Sequence, residues 1–239
     1  MTIDIPQAIL TAGLGKVIAA VGGLGTASYG LVDATKALNG GLSNAGFSHI
    51  RRVMTTWLFP GDKTANDKDT PLALGAVLAT LKANWINGTP LADQKSIAKS
   101  LIKLRLNTDT AAFLAQKMGV DPGLLTKVAA KMANGLALEQ LEADVLGRFD
   151  LILTTALDEG YQRADQMYRN YCKGAAVVFS VVLAMGGAIA VGGTAILKMR
   201  EPLGLAFLVG VLAAPLAPVA KDLSTTIQAA AKVTNLFRK

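Results

Sequence analysis

The residues that most often do chemistry are sparse in this chain. One histidine, His49, and one cysteine, Cys172, occur in 239 residues. A multi-histidine metal centre and an internal disulfide are therefore excluded for the single chain. His49 stands beside Arg51 and Arg52 and reads as a surface or interfacial side chain. Cys172 directly precedes a hydrophobic run. A buried, inert thiol is preferred there over a juxtamembrane acylation site. Two glycine-rich stretches invite comparison with phosphate-binding loops. The first, Gly13-Leu14-Gly15-Lys16, has Leu10 where the loop needs glycine and Val17 where it needs serine or threonine. The second, Gly23-Leu24-Gly25, has Ser28 in place of the third glycine of a dinucleotide fingerprint, and no strand precedes it. The carboxylates are scattered along helical stretches with no convergent pair. No catalytic, cofactor-binding or metal-ligating residue is predicted, and the chain is expected not to be an enzyme.

The charge pattern is more informative. The net charge is +7, which suits nucleic acid or anionic lipid. Aromatics make up 5% of the chain and do not interleave with the basic residues as a base-stacking platform requires, so nucleic acid is not an expected partner. Lys95, Lys99 and Lys103 recur every four residues and fall on one helical stripe, a possible partner-facing surface. They belong to a basic region, Leu81 to Lys131, with eight bases against three acids. From Glu139 to Arg169 the balance reverses, with seven acids against three bases. Such complementary regions can pair within one chain, pair between chains, or remain two solvated faces.

These charges need helices to carry them. Phe47, Ile50, Met54, Trp57 and Leu58 predict a helix over 43–59, ended by Pro60-Gly61 and a polar loop, 60–71. Leu72–Ile86 forms the next helix, stopped by Asn87-Gly88. Pro90–Leu106 follows, with Ile97, Leu101 and Leu104 as its apolar face. Asp109–Met118 comes next, with Thr108 as N-cap and Gly119 as stop. A helix with Pro122 in its first turn then runs to Asn134-Gly135. From Leu136 no proline intervenes until Pro202, which predicts one long helix. Leu138, Leu141, Val145, Phe149, Ile152 and Ala156 mark its packing face, with weak points at Gly147, Gly160 and Gly174.

The ends of the chain are apolar. Ala175–Leu197 and Leu203–Ala220 are two hydrophobic runs joined by a short polar link, each long enough for a span of ~20 residues. Pro215 and Pro218 predict a kink in the second run. Tyr168 and Tyr171 stand where an interfacial aromatic belt is expected. Ala184, Ala188 and Gly192 form a small-xxx-small face for close helix packing. Residues 5–38 are Gly/Ala-rich and apolar, interrupted by Lys16, and they can span, re-enter or lie on the membrane. No positively charged segment at the N-terminus marks a secretory signal. The tail 221–239 is amphipathic and basic. The predicted organisation is an apolar segment (1–40), a basic helical domain (41–135), an amphipathic stalk helix (136–174), a transmembrane hairpin (175–220) and a basic tail (221–239). The fold class is an all-α integral membrane protein.

Basic residues are denser at the two ends of the hairpin than in its turn. The positive-inside rule thus places the helical domain and both hairpin ends in the cytoplasm. Lys16, Arg51, Arg52, Arg169, Lys173, Lys221, Lys232, Arg238 and Lys239 are the residues expected to meet anionic lipid. Neither C-terminal run contains an ionisable residue, which argues against an ion-coupled transporter.

The segment Arg148-Phe149 through Gly160-Tyr161-Gln162-Arg163 and Gln166, followed by a hydrophobic span, resembles an uncharacterised family of bacterial membrane proteins. That family carries a Gly-Tyr-x-Arg-like element just before a transmembrane helix. The stretch from Phe47 to Arg52 is similar too. The resemblance implies a bacterial membrane location and no assigned activity. The expected function is a non-enzymatic protein that self-associates as a scaffold or ring at the bacterial inner membrane. A pore-forming membrane effector is the alternative, and a membrane-bound enzyme of unknown type a second one.

Overall fold

The computed structural model describes the backbone of residues 7–58, 72–193, 195 and 199–237, and the side chains of 17–57, 72–193, 195 and 199–218. The 60–71 loop, Arg238 and Lys239 lie outside these ranges, as do the side chains of Lys16, Lys221 and Lys232. The described residues are helical and include no strand. The helices are α1 (Gln7–Ala34), α2 (Ser43–Leu58), α3 (Leu74–Ile86), α4 (Leu91–Leu104), α5 (Thr108–Met118), α6 (Pro122–Ala133), α7 (Gln140–Gly192) and α8 (Arg200–Phe237). A 3-10 turn, Thr35–Ala37, follows α1.

The chain divides into two compact units. The helical domain is Ser43–Tyr168, comprising α2 to α6 and the first part of α7. The apolar unit is Met1–Leu42 with Arg169–Lys239, comprising α1, the rest of α7 and α8.

Local chemistry sets the helix ends in the helical domain. Asn107, not Thr108, caps α5: its Oδ1 accepts the N–H groups of Asp109 and Thr110 at 3.0 and 2.9 Å. The Thr110 hydroxyl in turn accepts the Asn107 N–H at 3.2 Å, closing a reciprocal capping box. An asparagine's planar amide reaches the N2 and N3 donors together. Thr108, one residue later, is already helical. Gly119 stops α5 at φ 62, a left-handed conformation that only glycine adopts without strain. Asp121 Oδ1 caps α6 by accepting the Leu124 N–H at 2.7 Å, with Pro122 in the first turn.

The core of this domain is made of large side chains. Phe47, Ile50 and Met54 come from α2, and Val77, Leu81 and Trp85 from α3. Phe149, Leu153, Leu157 and Tyr161 come from α7. Trp85 donates its indole N–H to the Ser43 carbonyl at 2.9 Å and meets Tyr168 edge-on at 6.0 Å. Two glycines let α2 approach α7 closely. A Cβ at Gly46 would stand 2.5 Å from the Ala164 carbonyl oxygen, and one at Gly160 would stand 2.6 Å from Val53 Cγ2. Gly160, expected as a weak point, is thus a packing position, and α7 runs through it and through Gly174 as one helix.

The predicted faces of two helices shift. On the part of α7 in this domain the buried side chains after Phe149 include Leu153, Leu157, Tyr161 and Ala164, while Leu141 is 67% exposed. On α4 the buried stripe is Gln94, Ala98 and Ile102, while Leu104 is exposed. On both helices the lysines of α4 and the carboxylates of α7 come to the edge of the contact, where they pair.

In the apolar unit, α1 and α8 pack along each other. α1 passes through the Gly22-Gly23-Gly25 cluster without a break. α7 stops at Gly192, before Gly193 at φ 69. The helix α8 continues through Pro215 and Pro218. Each proline removes the N–H that would bond the carbonyl four residues earlier, at Val211 and Ala214. Three segments are long and apolar enough to cross a membrane: Val17–Ala37, a stretch of α7, and Arg200–Pro218. The composition therefore supports membrane association.

Candidate functional site

The Lys95, Lys99 and Lys103 stripe lies against α7 of the same chain. Lys95 Nζ donates to Asp158 Oδ1 and Lys99 Nζ to Asp150 Oδ2, both at 2.6 Å. Lys103 pairs with the other oxygen of Asp150. The arrangement follows from spacing. Lysines at every fourth residue of α4 run along a helix edge, and Asp150 and Asp158, eight apart on α7, face that edge. Three ammonium groups thus share two carboxylates, and Asp150 holds two of them. The lysine side chains remain 28–42% exposed. Partial burial works against the charge of Asp150, but the ammonium groups of Lys103 and Lys99 outweigh it and hold the carboxyl below its ordinary range.

A second ionic cluster closes the corner between α6 and α7. Lys131 Nζ donates to Glu142 Oε2 at 2.7 Å and to Glu139 Oε1 at 3.1 Å. Glu142 Oε2 also accepts the Glu139 N–H at 2.8 Å, so one carboxylate caps the first turn of α7 and holds the end of α6. The side chain of Glu142 is 4% exposed. The bond from Lys131 and the backbone N–H of Glu139 hold its carboxyl low, while the bonds to the Glu142 and Glu139 carboxylates raise the ammonium of Lys131.

Among the residues expected at a membrane surface, Arg51 and Arg52 are exposed on α2, with the Arg51 guanidinium 5.7 Å above the Phe47 ring. Arg169 and Lys173 are exposed on α7. His49, also on α2, sets its Nε2 3.1 Å from Met167 Sδ.

Glycine-mediated helix contacts in the apolar unit involve Gly25 and Gly210. Ala184 and Ala188 are half-buried and Gly192 is exposed, and a Cβ at Gly186 or Gly187 would meet nothing within 4 Å. Instead, Gly25 of α1 lies on the Ala213 carbonyl, and a Cβ there would stand 2.6 Å from Ala217 Cβ. A Cβ at Gly210 of α8 would stand 2.5 Å from Val181 Cα of α7. Beside it the buried Ser180 hydroxyl donates to the Gly210 carbonyl at 2.5 Å. The helix α8 therefore carries a glycine-mediated approach to each of the other two. The sequence signal for these positions was the glycine cluster at 22–25, which reads as a helix-weakening feature until a partner helix is known.

The buried residues of this unit are small: Ala176, Ser180, Ala213, Ala214 and Ala217 beside Val32 and Ser28. Many large ones point outward: Val178, Val182, Val191, Leu205, Phe207, Leu208, Leu212 and Leu216 are 41–92% exposed, while Val177 and Phe179 are partly buried against the cluster. Small inside and large outside is the reverse of a water-soluble core.

The chain matches no family model, no curated protein and no solved structure.

Proposed function

We propose that this chain is a non-enzymatic membrane protein of the bacterial inner membrane that self-associates as a scaffold. It would be embedded through α1, the second part of α7 and the first part of α8, with the helical domain on the cytoplasmic side. The inverted packing of the apolar unit carries this reading. A row of bare Val, Leu and Phe side chains along helices of spanning length needs hydrocarbon or another copy to cover it. The glycine approaches of α1 and α7 to α8 support a third span beyond the hairpin. If α1 crosses and Ser43 is cytoplasmic, residue 7 lies on the far side. The excess of bases at the hairpin ends supports that orientation. The open glycines Gly23, Gly30, Gly186 and Gly187, which face nothing within 4 Å, support contacts between copies.

The deciding experiment is light scattering of the full chain in mild detergent, coupled to dye release from liposomes. A defined oligomer without dye release is the expected result. A monomer removes the scaffold reading, and dye release replaces it with a pore. Accessibility of a tag in the 60–71 loop, tested on intact cells and after permeabilisation, checks the orientation.

A further inference from the structure

We infer that α4 is a releasable amphipathic helix whose lysines exchange Asp150 and Asp158 for an anionic lipid surface. The inference rests on the membrane reading above and names a second lipid contact, outside the spans. Three observations converge on α4. First, its anchor is shallow: only Gln94, Ala98 and Ile102 are fully buried, and Leu91, Ile97 and Leu101 pack against the core while only partly buried, whereas α2 fully buries Phe47, Ile50 and Met54. Second, it docks at a polar cost. Gln94 is 2% exposed and its Oε1 has no hydrogen-bond partner among the described residues, although Nε2 donates to the Thr89 carbonyl at 2.6 Å. Third, its charge is under-compensated where it docks, since three lysines share two carboxylates and all five side chains are partly exposed.

The helix is already built for an interface. At 100° per residue, Lys95, Ser96, Lys99, Ser100 and Lys103 occupy one half of its circumference. Ile97, Ala98, Leu101, Ile102 and Leu104 occupy the other. In the docked state the two edges of the apolar half differ: Ile102 is buried, while Leu104 is 67% exposed. Released, the whole apolar half can enter the headgroup boundary while the lysines meet lipid phosphates. Charge complementarity selects an anionic bilayer as the occupant: the helix offers three ammonium groups beside an apolar half that only Gln94, near its first turn, interrupts.

The test uses the full chain in vesicles, in a Cys172→Ser background, with a fluorophore at Leu104→Cys or, separately, at Leu208→Cys. A lipid-phase quencher reports entry into hydrocarbon. The Leu208 label should be quenched in phosphatidylcholine vesicles with or without phosphatidylglycerol. The Leu104 label should be quenched only with phosphatidylglycerol, by roughly tenfold over phosphatidylcholine alone, and high salt should abolish it. Asp150→Asn, which frees Lys99 and Lys103, should lower the phosphatidylglycerol content needed. Quenching at Leu208 without any at Leu104 overturns this inference alone. Shielding of Leu104 from an aqueous quencher without lipid-phase quenching assigns α4 to a protein neighbour, and also overturns it. An Asp150→Asn variant that needs the same or more anionic lipid removes the exchange. No quenching at Leu208 overturns the membrane reading and this inference with it.

Discussion

The helical domain and the apolar unit are both made of packed helices, yet they sort side chains in opposite directions. In the domain, Phe149, Leu153, Leu157 and Tyr161 of α7 are buried at 2% exposure or less. Further along the same helix, Val178 and Val182 are each 61% exposed while Ala176 and Ser180 are buried. Water expels large apolar groups, so the domain hides them. On the membrane reading that force vanishes in hydrocarbon and close backbone approach remains, which accounts for the small residues buried in the unit. One helix would then obey two rules in two solvents.

The largest effect that would sharpen this contrast is at paired phenylalanines. Phe149→Ala should destabilise the helical domain by about 3–5 kcal/mol, through lost burial and a cavity. Phe207→Ala, at a side chain 52% exposed, should leave thermal unfolding in detergent nearly unchanged. Equal losses at both sites would erase the distinction. Next come the glycines. Gly210→Val and Gly25→Val should each cost about 1–3 kcal/mol as helices are forced apart, whereas Gly186→Val, with open space around it, should be tolerated. Cross-linking between α7 and α8 measures the separation directly.

A smaller effect belongs to the α6–α7 corner. Glu142 has a lowered carboxyl in the folded state, so its contribution is present above the ordinary glutamate range and is lost as pH falls through the folded value. Amide protection in the first turn of α7, corrected for intrinsic exchange, should therefore persist through the ordinary carboxylate range and fail only below it. Glu142→Gln should remove that protection at neutral pH. The smallest effect is at the lysine seam. Asp150→Asn should cost no more than ~1 kcal/mol, in line with partly exposed pairs, and the difference from the parent should shrink with added salt. A salt-independent loss would mean that Asp150 acts through packing.

Much of this architecture was legible in the residues. Gly88, Gly119 and Pro122 mark helix ends because their backbone preferences act locally. The unbroken α7 was legible from the missing prolines, and the all-helical character from apolar spacing. The phase of α7 was not. Apolar residues cluster at Leu151, Ile152 and Leu153, so periodicity admits several faces, and the choice falls to partners distant in sequence, Lys99 and Val53 among them. The lysine stripe showed its charge but not its partner, since pairing within a chain and between chains leaves the same pattern. Gly25 and Gly210 were hidden for a related reason. A glycine weakens an isolated helix, and it becomes a contact only beside another backbone.

The buried phenol of Tyr161 sets an alkaline limit on the domain. Burial raises its ionisation above that of an ordinary tyrosine, so the folded state keeps the proton that the unfolded chain gives up. Stability is intact below the ordinary tyrosine range and drains away as pH climbs past it. In an ultraviolet titration one phenolate should arrive late, in step with collapse of the domain. That delayed absorbance step makes Tyr161 a built-in optical gauge of unfolding, with no added label.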